Sequence, residues 1–90
     1  MSKEHNLKSW TPFFVAIRQG TRFHELRRND RDYKVGDICV LREFDPATAV
    51  YSGDVLRVEV TSITSASVPC AVSIEALNPE FCILSVRQLI

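Results

Sequence analysis

The spacing of apolar residues changes from helical to alternating near Gly20, and that change limits the possible folds more than any other feature of the chain. Before it, Phe13, Phe14 and Ile17 recur at helical spacing. After it, apolar residues alternate with polar ones in short runs, the period of half-buried strands. Turn formers separate these runs throughout. One early helix followed by many short strands predicts an α+β chain that is mainly β.

The helix is expected from Thr11 through Arg18 or Gln19. Thr11 is a suitable N-cap, and Pro12 suits the first helical position, where a missing N–H costs nothing. Trp10 would then staple onto Val15. Gly20 tolerates the positive φ that ends many helices. A helix of about two turns needs tertiary packing to persist, so Phe13, Phe14 and Ile17 are the expected anchors.

From Arg22 a strand would place Phe23, Glu25 and Arg27 on one face, with Arg22, His24, Leu26 and Arg28 on the other. Asn29-Asp30-Arg31-Asp32 reads as a polar turn, and Val35-Gly36-Asp37 as a second turn feeding an apolar strand from Ile38 to Leu41. Asp45-Pro46 and Ser52-Gly53-Asp54 are expected to bracket a loop before the alternating run from Val55 to Ile63. Ala71 to Leu77 reads as a short helix or an irregular strand. Phe81 to Leu89 is a closing strand with Cys82, Leu84 and Val86 on one face. Such strands bury their apolar faces in a small closed or half-closed barrel, with the helix at one mouth. Residues 1–90 are enough for a single domain.

The formal net charge of zero hides an asymmetry. Residues 1–34 carry eight basic and four acidic side chains, and residues 35–90 carry three and seven. This excludes a uniformly basic polyanion coat and predicts instead a confined anion-facing patch. Cys39 and Cys82 lie within apolar runs and read as small buried hydrophobes. With Cys70, His5 and His24 they show no zinc-finger spacing, so neither a metal nor a cofactor is expected. The apolar run from Phe13 to Ile17 is too short for a leader or a membrane span, and a reduced, cytoplasmic protein is expected.

The segment Gly20-Thr21-Arg22-Phe23-His24-Glu25-Leu26-Arg27 resembles the G-x-K-x-x-E-x-R signature of the ASCH domain, a branch of the PUA-like superfamily. The run from Arg28 through Asp32 to Gly36-Asp37, followed by Leu41-Arg42-Glu43-Phe44-Asp45-Pro46, resembles a small bacterial and phage subgroup, as does His5-Asn6-Leu7-Lys8. The resemblance is close from residue 5 to about residue 64. It implies a PUA-like β barrel with one early helix beside a cleft that takes RNA or a nucleotide. Some relatives are hydrolases, either ribonucleases or acetylcytidine amidohydrolases, the latter using a lysine, a threonine and a glutamate. The lysine and threonine positions are Arg22 and Glu25 here, and arginine stays protonated at any working pH.

On that basis the expected function is RNA or nucleotide binding. The alternatives are a hydrolase with Glu25 as base and Arg22 stabilising charge, and a phage-type module that binds a protein partner. Glu25 could accept a hydrogen bond from a base amino group while Arg27 holds a phosphate, unless the two form a rim ion pair. Lys8, Arg22, Arg28 and Arg31 are the expected phosphate contacts. Trp10 and Tyr33 are candidates for stacking on a base. Asn29, Asp30 and Asp32 read as turn formers, and His24 as packed or exposed.

Overall fold

The computed structural model describes residues 3–89. In chain order it contains β1 (Glu4–Trp10), α1 (Thr11–Arg18), β2 (His24–Arg28), β3 (Ile38–Asp45), β4 (Val50–Ser65), α2 (Ser73–Ala76) and β5 (Phe81–Gln88). The strands form one sheet in the order β1-β3-β4-β5-β2. The β1–β3 pair is parallel and the other pairs are antiparallel. The chain is thus mainly β, and its sheet curls into a half-barrel.

The curl follows from β4. Its 16 residues would span about 53 Å if straight, against a longest molecular dimension of 37 Å. The strand pairs with β3 over its first part and with β5 over its second, and a bulge between Val60 and Ser62 marks the bend. Curling brings the two edge strands, β1 and β2, to face each other across an open seam. Helix α1 covers the concave face, where Phe14 and Ile17 meet Leu7, Leu41, Val58, Val60, Leu84 and Val86. Cys39 and Cys82 are fully buried among them, as their apolar neighbours predict.

Several local expectations are corrected. Trp10, not Thr11, is the N-cap residue, and no side chain caps this helix. The Thr11 hydroxyl is drawn away to the Phe44 carbonyl at 3.5 Å. The Trp10 ring stacks on Phe13 at 6.2 Å, and Phe13 stays exposed instead of joining the core. The bracketed loop is mostly strand, because β3 runs on to Asp45 and β4 already begins at Val50. Cross-strand pairing of Phe44 with Tyr51 and Asp45 with Val50 overrides the turn composition of Ser52-Gly53-Asp54. Gly53, at φ +95°, absorbs the register shift that this pairing creates. In the ambiguous late segment, Ser73–Ala76 forms a single helical turn.

A buried clasp also joins the chain start to the second turn. Asp37 accepts hydrogen bonds from His5 Nε2 at 2.8 Å and from the backbone N–H groups of Lys3 and Lys34, each at 3.0 Å. Burial opposes ionisation of Asp37, but the donors outweigh it and hold the carboxyl below its ordinary range.

Candidate functional site

β1 alternates strictly, turning His5, Leu7 and Ser9 inward and Asn6, Lys8 and Trp10 outward. Its outer edge would leave carbonyl groups unpaired along the seam. Two arginines from the β2 side satisfy them: Arg27 Nη2 donates to the Lys8 carbonyl at 2.7 Å and Arg31 Nη1 to that of Asn6 at 3.3 Å. The half-barrel is therefore closed by side chains rather than by a strand ladder. Two hollows lie along this seam and share Lys8 and Arg27.

The first hollow, of about 330 Å³, is walled by Ser9, Trp10, Phe13, Arg22 and Glu25. Glu25 is 5% exposed and points inward from β2, on the face it shares with Arg27, while the apolar Leu26 between them faces out. Its Oε2 meets Arg27 Nη2 at 3.1 Å. The pair is thus largely buried, not a rim contact. Among the described residues, three buried polar atoms here have no hydrogen-bond partner: Ser9 Oγ, Glu25 Oε1 and Arg27 Nε. Buried polar atoms are almost always satisfied by protein or ordered water, so these three leave hydrogen-bonding capacity open to whatever enters the hollow. Together they offer a negatively charged acceptor, a cationic donor and a hydroxyl able to play either part.

The second hollow, of about 260 Å³, is lined by Lys8, Arg27, Arg28, Arg31 and Tyr33, with Asp30 the acidic group at its wall. Arg28 is exposed and lies 3.7 Å from Glu80. Tyr33 is 7% exposed, its ring tilted against His5 at 4.7 Å, so it supplies a wall and has no open face for stacking. Burial pushes its phenol up to about 12 despite the nearby Arg27. Trp10, 49% exposed, is the free aromatic surface beside the seam. Arg22 lies 4.5 Å over the Phe13 ring and donates from Nε to the His24 carbonyl at 3.1 Å.

Lys8, Arg22, Glu25, Arg27, Arg28, Arg31 and Tyr33 thus all line one or other hollow, although up to 25 positions separate them in sequence. Sequence reasoning missed Ser9. The signal was present, because the His5-Leu7-Ser9 alternation turns a hydroxyl toward the interior. It also missed Phe13 as a wall and Arg27 as the brace that holds β2 to β1. Among the described residues, no three His, Cys, Asp or Glu side chains could together hold a metal ion, and no helix is long and apolar enough to cross a membrane.

Fold and site together define a small half-barrel whose open seam is bridged by arginines and lined by unsatisfied polar groups. Residues 4–86 match the model of a family described as a domain of unknown function, DUF3850, and the chain belongs to that family. It is also 30% identical over 67 residues to an uncharacterized 12.9 kDa protein in the GpA 3′ region of Escherichia phage P2. The match covers 74% of this chain and about 60% of the phage protein.

Proposed function

We propose that the seam binds RNA or a nucleotide, with a base in the first hollow and its phosphate in the second. The observation that carries this reading is the trio of unpartnered atoms at Ser9, Glu25 and Arg27. A nucleobase edge sets a donor beside an acceptor, the complement of Glu25 Oε1 beside Arg27 Nε. The cationic second hollow adjoins it through Lys8 and Arg27, where a 5′-phosphate would meet Arg28 and Arg31. The resemblance of residues 20–27 to the ASCH signature supports the same reading and the assignment to the PUA-like superfamily.

Trp10 is the sole tryptophan and lines the first hollow, so its fluorescence reports occupancy directly. Titration with the four nucleoside 5′-monophosphates should give saturable quenching by at least one of them. That response should weaken severalfold in Glu25→Gln and in an Arg28→Ala, Arg31→Ala double variant. Contacts from Lys8, Arg28 and Arg31 to phosphate would give a slope of about −2 in log affinity against log salt for a short single strand. Absence of quenching by every monophosphate and by short RNA would remove the reading. Arg27 is unsuitable for this test, since its loss would strip the buried Glu25 of its partner and weaken the fold itself. A hydrolytic role would draw on the same free Glu25 Oε1 as proton acceptor. It requires turnover of acetylcytidine or labelled RNA that disappears in Glu25→Gln.

A further inference from the structure

The convex face of the sheet carries a feature that begins at the seam and runs beyond it. Lys8 and Trp10 point outward from β1, and the parallel register sets them beside Arg42 and Phe44 of β3. Antiparallel pairing then sets Phe44 opposite Tyr51 and Arg42 opposite Val55 of β4. The side chains interlock on that face. Lys8 Nζ lies 4.2 Å from the centre of the Phe44 ring, Phe44 meets Tyr51 edge to face at 4.9 Å, and Arg42 lies 4.9 Å over Tyr51. With Arg22 on Phe13 and Phe13 stacked on Trp10, aromatic rings and cations alternate from the seam out along the β3–β4 arm.

Charge separates this strip from its surroundings. Among the described residues, Lys8, Arg22, Arg31 and Arg42 are the lysines and arginines that make no ion pair. Three of those four sit on the rings just named. Of the arm's acidic groups, Asp54 lies 3.7 Å from Arg18, Asp45 accepts from the Ala47 N–H, and Glu43 accepts from the Ser52 hydroxyl; Glu43 and Asp54 also line the small hollow that Arg42 and Tyr51 share. Farther along the sheet, Arg57 and Arg87 are neutralised by Glu4 and Glu59. Tyr51 is 44% exposed, and Val55 is also exposed, so the strip is an open surface and not part of the core.

We propose that this strip extends the seam into a track for single-stranded nucleic acid. The bases following the one in the first hollow pass over Trp10 and displace Lys8 and Arg42 from the faces of Phe44 and Tyr51, and the two freed cations follow the backbone. The ligand class rests on the nucleotide reading of the seam; the strip adds that the ligand is a strand, and an unpaired one. Alternating rings and unneutralised cations suit such a strand, because every base offers a stacking face and every linkage a negative charge. A duplex hides its base faces and cannot use the rings.

The test compares chain lengths and strandedness. A five-nucleotide RNA should bind at least tenfold more tightly than the best nucleoside monophosphate, and more tightly than a blunt RNA duplex. Stacking on one aromatic side chain is worth about fivefold or more, so Tyr51→Ala should weaken the pentanucleotide by at least that factor and leave the monophosphate within twofold. Arg42→Glu reverses an exposed charge without touching the core, and it should act in the same direction if Tyr51→Ala proves unstable. Equal affinity for monophosphate and pentanucleotide overturns the track and leaves the seam reading standing. Pentanucleotide binding that depends on Arg42 and Tyr51, without monophosphate binding, keeps the track and removes the base site from the seam. Equal weakening of both ligands in Arg42→Glu, or duplex binding as tight as single-strand binding, also refutes the track.

Discussion

Ser9 should oppose stability and affinity to each other. Its hydroxyl is buried, has no partner among the described residues, and stands beside two other orphaned atoms. Leaving a hydroxyl unsatisfied in the interior costs about 1–3 kcal/mol. Ser9→Ala removes the oxygen and keeps the carbon, and the void left behind returns only a few tenths at about 24 cal/mol per Å³. The free variant should therefore be more stable than the parent by about 1 kcal/mol, a rise in Tm of about 4–8 °C for a domain of this size. Affinity should move the other way, because a hydrogen bond worth about 0.5–1.5 kcal/mol is lost, equivalent to about 2- to 12-fold. At a nucleotide concentration of 100 times the parent's Kd, the parent gains about 2.7 kcal/mol, while a tenfold weaker variant gains about 1.4. Saturating ligand should thus close the stability gap or reverse it. Urea denaturation followed by circular dichroism, with and without nucleotide, measures both quantities. A variant destabilised by 1 kcal/mol or more in the free state would refute the reasoning, since the hydroxyl must then have a partner. A stabilised variant with unchanged affinity would instead remove Ser9 from the ligand site.

Two further outcomes follow from buried groups outside the seam. Asp37→Asn confronts three inward-pointing donors with an amide that can accept on only one side, and should cost about 3 kcal/mol in urea denaturation near neutral pH. Because the native carboxyl titrates below its ordinary value of 3.8, this contribution is complete above that pH and lost as pH falls below it. The gap between parent and variant should therefore narrow in acid, and a pH-independent gap would contradict the clasp. Backbone N–H groups of Val72 and Ser73 lower the thiol of exposed Cys70, whereas burial pushes Cys39 up to about 11 and raises Cys82. A thiol reagent at neutral pH should modify one cysteine rapidly in the native protein and all three in denaturant; two fast equivalents would place a core thiol within reach of solvent.

Much of the site was legible because strand alternation is a local rule. Glu25 and Arg27 share a face in any strand, and the burial of Cys39, Cys82, Leu84 and Val86 follows from the same period. Gly20 ended the helix where its φ of +79° allows. The errors arose where a distant group competed with a local preference. Phe44 drew off the Thr11 hydroxyl, and β3 pairing extended β4 through a sequence with the composition of a turn.

The sequence by itself determined the mainly β character, the single early helix, and the arginine-rich segment around Glu25. All of these depend on spacings of a few residues and on side-chain chemistry. Tertiary structure decided that β1 lies parallel to β3, so that the two outermost strands become β1 and β2. That topology leaves a seam, and the seam assembles Ser9, Glu25 and Arg27 into one hollow and joins His5 to Asp37 across 32 residues. No local period encodes which strands remain at the edges, because the choice depends on how β4 bends under the pairing of both its neighbours.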